Sequence, residues 1–160
     1  AKEHEIRDVL IKFGEERKAN LIAKKIYTFR KNKMIETTQE LGQIIRSCFR
    51  FRGKNDPATL SFQAIRIFIN DELNALSQAL DCAAELVALG GKILVISFHS
   101  LEDRIVKNRF RYLSKNGLAK NGFDYEYRII TKKPVRPSNY EKKENARSRS
   151  AKLRVLERTQ

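Results

Sequence analysis

The chain has 160 residues, 33 Lys and Arg against 19 Asp and Glu, a formal charge of +14 and an isoelectric point near 10.0. Such a field attracts polyanions, so nucleic acid is the first class of partner to consider and an anionic membrane surface the second. No run approaches the ~18 apolar residues a spanning helix needs, and the charged start lacks a signal-peptide core, so neither a membrane span nor secretion is expected.

The length allows one domain or little more, and 41% hydrophobic residues are adequate for a core. In chain order, Ile6, Val9, Leu10 and Phe13 recur at helical spacing, with Gly14 as a stop. Leu21, Ile22, Ile26 and Phe29 predict a second helix. Thr37 and Glu40 form a capping box ahead of a third, striped by Leu41, Ile44, Ile45 and Cys48. The segment Phe49 to Asn55 breaks the pattern and reads as a loop between two bodies. Its alternating Phe and Arg suit stacking on bases and pairing with phosphates; buried Phe beside solvated Arg is an equally simple account.

From Pro57, which fits a first helical turn, one long helix is expected, because Phe62, Ile65, Ile69, Leu73, Leu76, Leu80, Ala83 and Val87 make a continuous stripe. Gly90 stops it. Ile93 to Ile96 then form an apolar run, the pattern of a strand buried on both faces inside a parallel sheet. Ser100 and Asp103 make an acidic variant of a capping box for the next helix. After Phe110 the pattern fades through Ser114 to Gly117. Phe123, Tyr125, Tyr127 and Ile129 alternate as a strand, residues 134–150 form a basic loop, and a last strand runs through Ala151, Leu153 and Val155. Cys48 and Cys82 fall at apolar helical positions without metal-like spacing, so both are expected as buried free thiols in a reducing, cytoplasmic compartment, and no metal site is expected.

Polar residues at the carboxyl end of the central strand lie where open α/β sheets bind ligands. By spacing alone, a turn that only caps a helix accounts for them as well. The wording adds to this. Ser97-Phe98-His99-Ser100-Leu101-Glu102-Asp103-Arg104-Ile105-Val106-Lys107 resembles, without a break, the signature of bacterial methyltransferases that modify N4 of a cytidine in small-subunit (16S) ribosomal RNA. Phe13-Gly14-Glu15-Glu16-Arg17 resembles another motif of that family. So do Asp56-Pro57-Ala58-Thr59, running on through Phe62 to Ile67 and Asn70 to Leu73, and residues 147–158 near the end. Asp56 stands where the family usually has His, Leu60-Ser61 where it has Arg-Thr, and Asn145-Ala146 where it has Asn-Pro.

The resemblance implies an α/β fold: part of a class I, Rossmann-like methyltransferase sheet with an all-helical substrate-recognition subdomain. Residues 1–54 would be the helical, RNA-recognising part of an insert. Residues 55–160 would be the C-terminal half of the α/β domain, with its last two strands antiparallel. The family's cofactor half, with a glycine-rich loop after its first strand, has no counterpart here, since Gly90-Gly91 precede a strand rather than follow one. The chain is therefore expected to hold no cofactor-binding residues and to be inactive alone. S-adenosylmethionine would be the cofactor of the longer protein, ribosomal RNA or the small ribosomal subunit its partner, and the missing N-terminal half a second partner. A non-catalytic basic RNA-binding module is the alternative.

N4 methylation requires the amine held in line with the methyl donor, and loss of a proton as the bond forms. Candidates for that chemistry are Ser97, His99 and Glu102 at the strand end, and Asp71. A histidine can accept a proton near neutral pH, although a hydrogen-bonded structural histidine accounts for His99 as well. Arg17, Lys24, Arg50, Arg52, Arg66, Arg104, Lys107, Arg147 and Arg149 are the candidate RNA contacts. Apart from Arg50 and Arg52 in the Phe–Arg loop and Arg66 in the long helix, they belong to three basic groups: the first helices, the helix after the signature, and the C-terminal loop with Lys132, Lys133, Arg136, Lys142 and Lys143.

Overall fold

Helical periodicity governs the first part of the chain. The computed structural model describes residues 1–50, 56–120 and 122–160. It groups them into two units, Ala1–Glu72 and Leu73–Gln160. The first unit holds α1 (Glu3–Gly14), α2 (Ala19–Asn32), α3 (Thr38–Arg46) and α4 (Thr59–Asn70). The expected cap of α3 is present: Glu40 N–H donates to Thr37 Oγ1 at 3.1 Å, and the Glu40 carboxylate accepts from Thr37 N–H at 3.3 Å. Leu10, Ile22, Ile26, Ile45 and Cys48 meet in its core.

The single long helix expected from Pro57 does not form. Asp71 adopts the left-handed conformation, with φ of 49°, and ends α4; α5 (Glu72–Leu86) starts afresh. The side chain of Glu72 supports the break, accepting from Arg66 Nε at 2.8 Å and Asn70 Nδ2 at 3.2 Å. The first compact unit accordingly ends at Glu72, because α4 packs on α1. The buried face of α4 also differs from the expected stripe. Ala58, Ser61, Ala64 and Ile67 are buried there, while Ile69 is exposed. These mostly small side chains let the helices approach closely. Gly14 belongs to the same contact: a Cβ at this position would lie 2.8 Å from Leu60 O. Gly14 is therefore required for space, and Glu15, with φ of 50°, takes the left-handed cap of α1.

The second unit packs α5 and α6 (Ser100–Asn116) on a sheet. Its strands are β1 (Lys92–Ser97), β4 (Tyr127–Ile129) and β5 (Lys152–Arg158), in the order β1-β5-β4. A separate hairpin joins β2 (Leu118–Lys120) to β3 (Phe123–Tyr125), so the expected strand from Phe123 to Ile129 is split between two sheets. All described pairings are antiparallel, including the expected pair of final strands. Ile93 lies opposite Leu156 and Ser97 opposite Lys152. Leu80, Ala84, Val106, Phe110 and Tyr127 complete the core, and Tyr127 Oη donates to Ala84 O at 2.7 Å. The basic segment is partly ordered as α7 (Asn139–Glu144) and a 3-10 turn over Ala146–Ser150.

Two further expectations are corrected. β1 is not buried on both faces: Ile93 and Ser97 point into the core, while Leu94, Ile96 and the following Phe98 are 61%, 58% and 55% exposed. An unbroken apolar run cannot report which of its faces this chain covers. Cys48 is buried but Cys82 is exposed, on the outer side of α5. Among the described residues, no helix is long and apolar enough to cross a membrane.

Candidate functional site

The end of β1 and the start of α6 bring Ser97, His99, Glu102 and Asp103 together. The cap of α6 is His99, not Ser100: its Nδ1 accepts from Glu102 N–H at 3.3 Å. The Glu102 carboxylate answers by accepting from Phe98 N–H at 2.8 Å and His99 N–H at 3.2 Å. This reciprocal pattern satisfies donors that the first helical turn leaves without partners. An imidazole that accepts at Nδ1 carries its proton, when neutral, at Nε2. That atom lies 3.4 Å from Glu102 Oε1. The His99 side chain is 8% exposed. Ser97 Oγ donates to Lys152 O at a long 3.4 Å.

One turn along, Asp103 takes a two-point contact from Arg154 on β5, with Nε–Oδ1 at 2.7 Å and Nη2–Oδ2 at 3.2 Å. Lys152 Nζ stands 3.5 Å from the same carboxylate. The Arg154 guanidinium holds the Asp103 carboxyl below its ordinary range, against the opposing effect of burial. The pair ties the helix to the central strand.

The other candidates are spread over the two units. Asp71 lies in the first unit, at the left-handed residue between α4 and α5. Arg66 is held by Glu72. Arg17 and Arg50 are exposed, and Lys24 lines a groove between α2 and α3 together with Leu21, Phe29 and Ile44. Phe49 packs partly into the first core with Lys18 Nζ 4.4 Å from its ring centroid, whereas Arg52 lies outside the described residues. Arg104, Arg147 and Arg149 are exposed. Lys107 borders a small hollow beside Arg154, a residue the sequence reading passed over because alternation placed it only in a strand.

At the β1–α6 junction the groups that could meet S-adenosylmethionine are already engaged. The backbone donors at the end of β1 are spent on Glu102, the Asp103 carboxylate is spent on Arg154 and Lys152, and no glycine-rich turn follows a described strand.

Comparison with known proteins agrees with the signature. The chain is 50% identical over 157 residues to the ribosomal RNA small subunit methyltransferase H of Ehrlichia canis (strain Jake), covering 96% of this chain and 52% of that protein. It is 48% identical to the protein of the same name from Neorickettsia sennetsu, over 98% of this chain and 50% of that one. For Rickettsia bellii the identity is 45%, over 99% and 55%. The chain thus spans about half the length of these relatives. A family model described as the MraW methylase family matches residues 1–159, and the chain belongs to that family.

Proposed function

We propose that this chain is the RNA-recognising and sheet-completing half of an S-adenosylmethionine-dependent methyltransferase that acts on N4 of a cytidine in small-subunit ribosomal RNA. The observation that carries the reading is the 50% identity to the Ehrlichia canis protein across 157 residues, including the segment that forms the end of β1 and the cap of α6. The charge of +14 supports an RNA substrate. The sheet supports a fold that continues beyond these residues. Among the described residues β1 pairs only with β5, and its outer face carries exposed Leu94 and Ile96. An edge with free N–H and C=O groups and an apolar face is a template for further strands. We read it as the place where the cofactor-binding half of a class I sheet joins.

In this reading the cofactor is held by the other half and supplies the methyl group. The helical unit contributes cationic side chains such as Arg17 and Lys24 to the RNA backbone. His99 positions the end of β1 rather than taking the proton: its Nδ1 lone pair is engaged and, in the neutral ring, Nε2 is a donor. Asp71 in the first unit, and Ser97 and Glu102 in the second, remain the proposed candidates for the chemistry.

The test is methylation of small-subunit RNA with labelled S-adenosylmethionine, by the full-length protein and by the 160 residues alone. Turnover only by the full-length protein, with salt-sensitive RNA binding by both, is the expected result. Turnover by the 160 residues alone would overturn the division of labour. RNA binding without methylation by either would favour the non-catalytic module.

A further inference from the structure

We propose that the hollow between α6 and the segment leading out of β4 is a seat for a single backbone phosphate of the bound RNA. The inference rests on the RNA-binding reading above and names one site for it. Lys107 and Arg111 on α6, Thr131 and Lys132 after β4, and Arg154 on β5 line a hollow of about 20 Å³ over the buried ring of Phe110. That is far below the ~300 Å³ at which small-molecule pockets begin and is room for about one oxygen, so a phosphoryl group would direct one oxygen inward and rest at the mouth among the cations.

Four cations line this hollow and no carboxylate does. Asp103, behind it, is already shared by Arg154 and Lys152. Lys107 and Arg111 are four residues apart on one helix, a like-charge spacing that weakens a helix unless something else favours it. Arg154 is 8% exposed, and its contacts with Asp103 use two of its five N–H groups. The contact with Asp103 fixes the guanidinium plane and leaves donors over. Thr131 Oγ1 accepts from Val155 N–H at 2.8 Å, which leaves its own O–H to donate. Fixed guanidinium, hydroxyl and flexible ammonium groups around one small hollow are the usual means of holding a phosphate oxygen.

The experiment measures binding of the full-length protein to single-stranded segments of small-subunit RNA across a salt series, for wild type, K132Q and the K107Q/R111Q/K132Q triple variant. One phosphate neutralised on a single strand contributes about 0.7 to the salt slope, so the triple variant, which empties the seat, should lose about 0.7. Lys132 is exposed, so K132Q leaves the fold intact and should by itself lower the slope in the same direction, by less than the triple variant does. A wild-type slope retained in both variants would overturn the phosphate seat and leave the proposed function standing. Absence of salt-sensitive binding by the wild type would overturn both. Titration with tripolyphosphate separates the sources: binding lost in the triple variant, with the RNA slope unchanged, would assign the hollow to a free phosphate and refute the RNA backbone.

Discussion

Arg154 on β5 and Asp103 in the first turn of α6 are joined by two hydrogen bonds, at 2.7 and 3.2 Å, between a mostly buried guanidinium and a mostly buried carboxylate. The carboxylate also favours the positive end of the helix it starts. One contact therefore links the helix that carries the signature to the strand at the centre of the sheet. D103A would leave Arg154 charged and buried without its partner. A loss of about 3 kcal/mol in denaturant unfolding is expected. The Asp103 carboxyl is held below its ordinary range, so its contribution is complete above the unfolded value of about 4. It is lost as pH falls through the lower folded value. Wild type and D103A should accordingly converge in stability below about pH 4. A gap that stays constant down to pH 2 would refute the pairing.

His99 offers a separation of roles. Its Nδ1 caps α6, and Asn is among the best capping residues. H99A should lose about 1 kcal/mol of stability, and H99N should recover most of it. If His99 only positions the end of β1, single-turnover methylation by the full-length H99N protein stays near wild type. A rate that collapses in H99N while the melting temperature is retained would return His99 to proton transfer.

The elements closest to solvent were the most legible in the sequence. The capping box of Thr37 and Glu40 stands where its spacing put it, because a cap depends on four neighbouring residues and little else. The antiparallel final strands were legible only through the family resemblance. Three features were not readable. Asp71 breaks the long stripe through a backbone conformation that a hydrophobic pattern does not encode. The buried face of α4 uses Ala58, Ser61 and Ala64, and small residues carry little weight in a search for apolar stripes. The one-sided burial of β1 depends on what lies against its outer face, which no run of four apolar residues can state. In the candidate site, proximity of Ser97, His99 and Glu102 was legible from the strand-to-helix junction. The exchange of hydrogen bonds between His99 and Glu102 was not, since imidazole is an uncommon cap.

Ser61 sits fully buried on the face of α4 that meets α1, and its Oγ has no hydrogen-bond partner in the described structure. A buried hydroxyl in that position costs on the order of 1–3 kcal/mol in lost hydration. S61A removes the hydroxyl and improves helix propensity, so it should raise stability by about 1 kcal/mol. Thermal melts of the two proteins decide the matter. A lowered melting temperature would mean that Ser61 holds an ordered water or a partner.

Gly14 gives the opposite sign from the same interface. In a solvent-exposed helix, replacing Gly with Ala gains up to about 1 kcal/mol. Here the new methyl would lie 2.8 Å from Leu60 O and 3.1 Å from the Ala64 side chain. The first of these is backbone in the first turn of α4 and cannot swing aside as a flexible side chain would. Relief requires α1 and α4 to separate, and overpacking of this kind costs roughly 1–3 kcal/mol. The clash therefore outweighs the propensity gain, and G14A should be destabilised by about 1–2 kcal/mol. Combining it with A64G tests the cause, because removing the Ala64 methyl opens only one of the two contacts. Partial recovery in the double variant is expected, and a G14A protein as stable as wild type would show that the helices do not pack this closely.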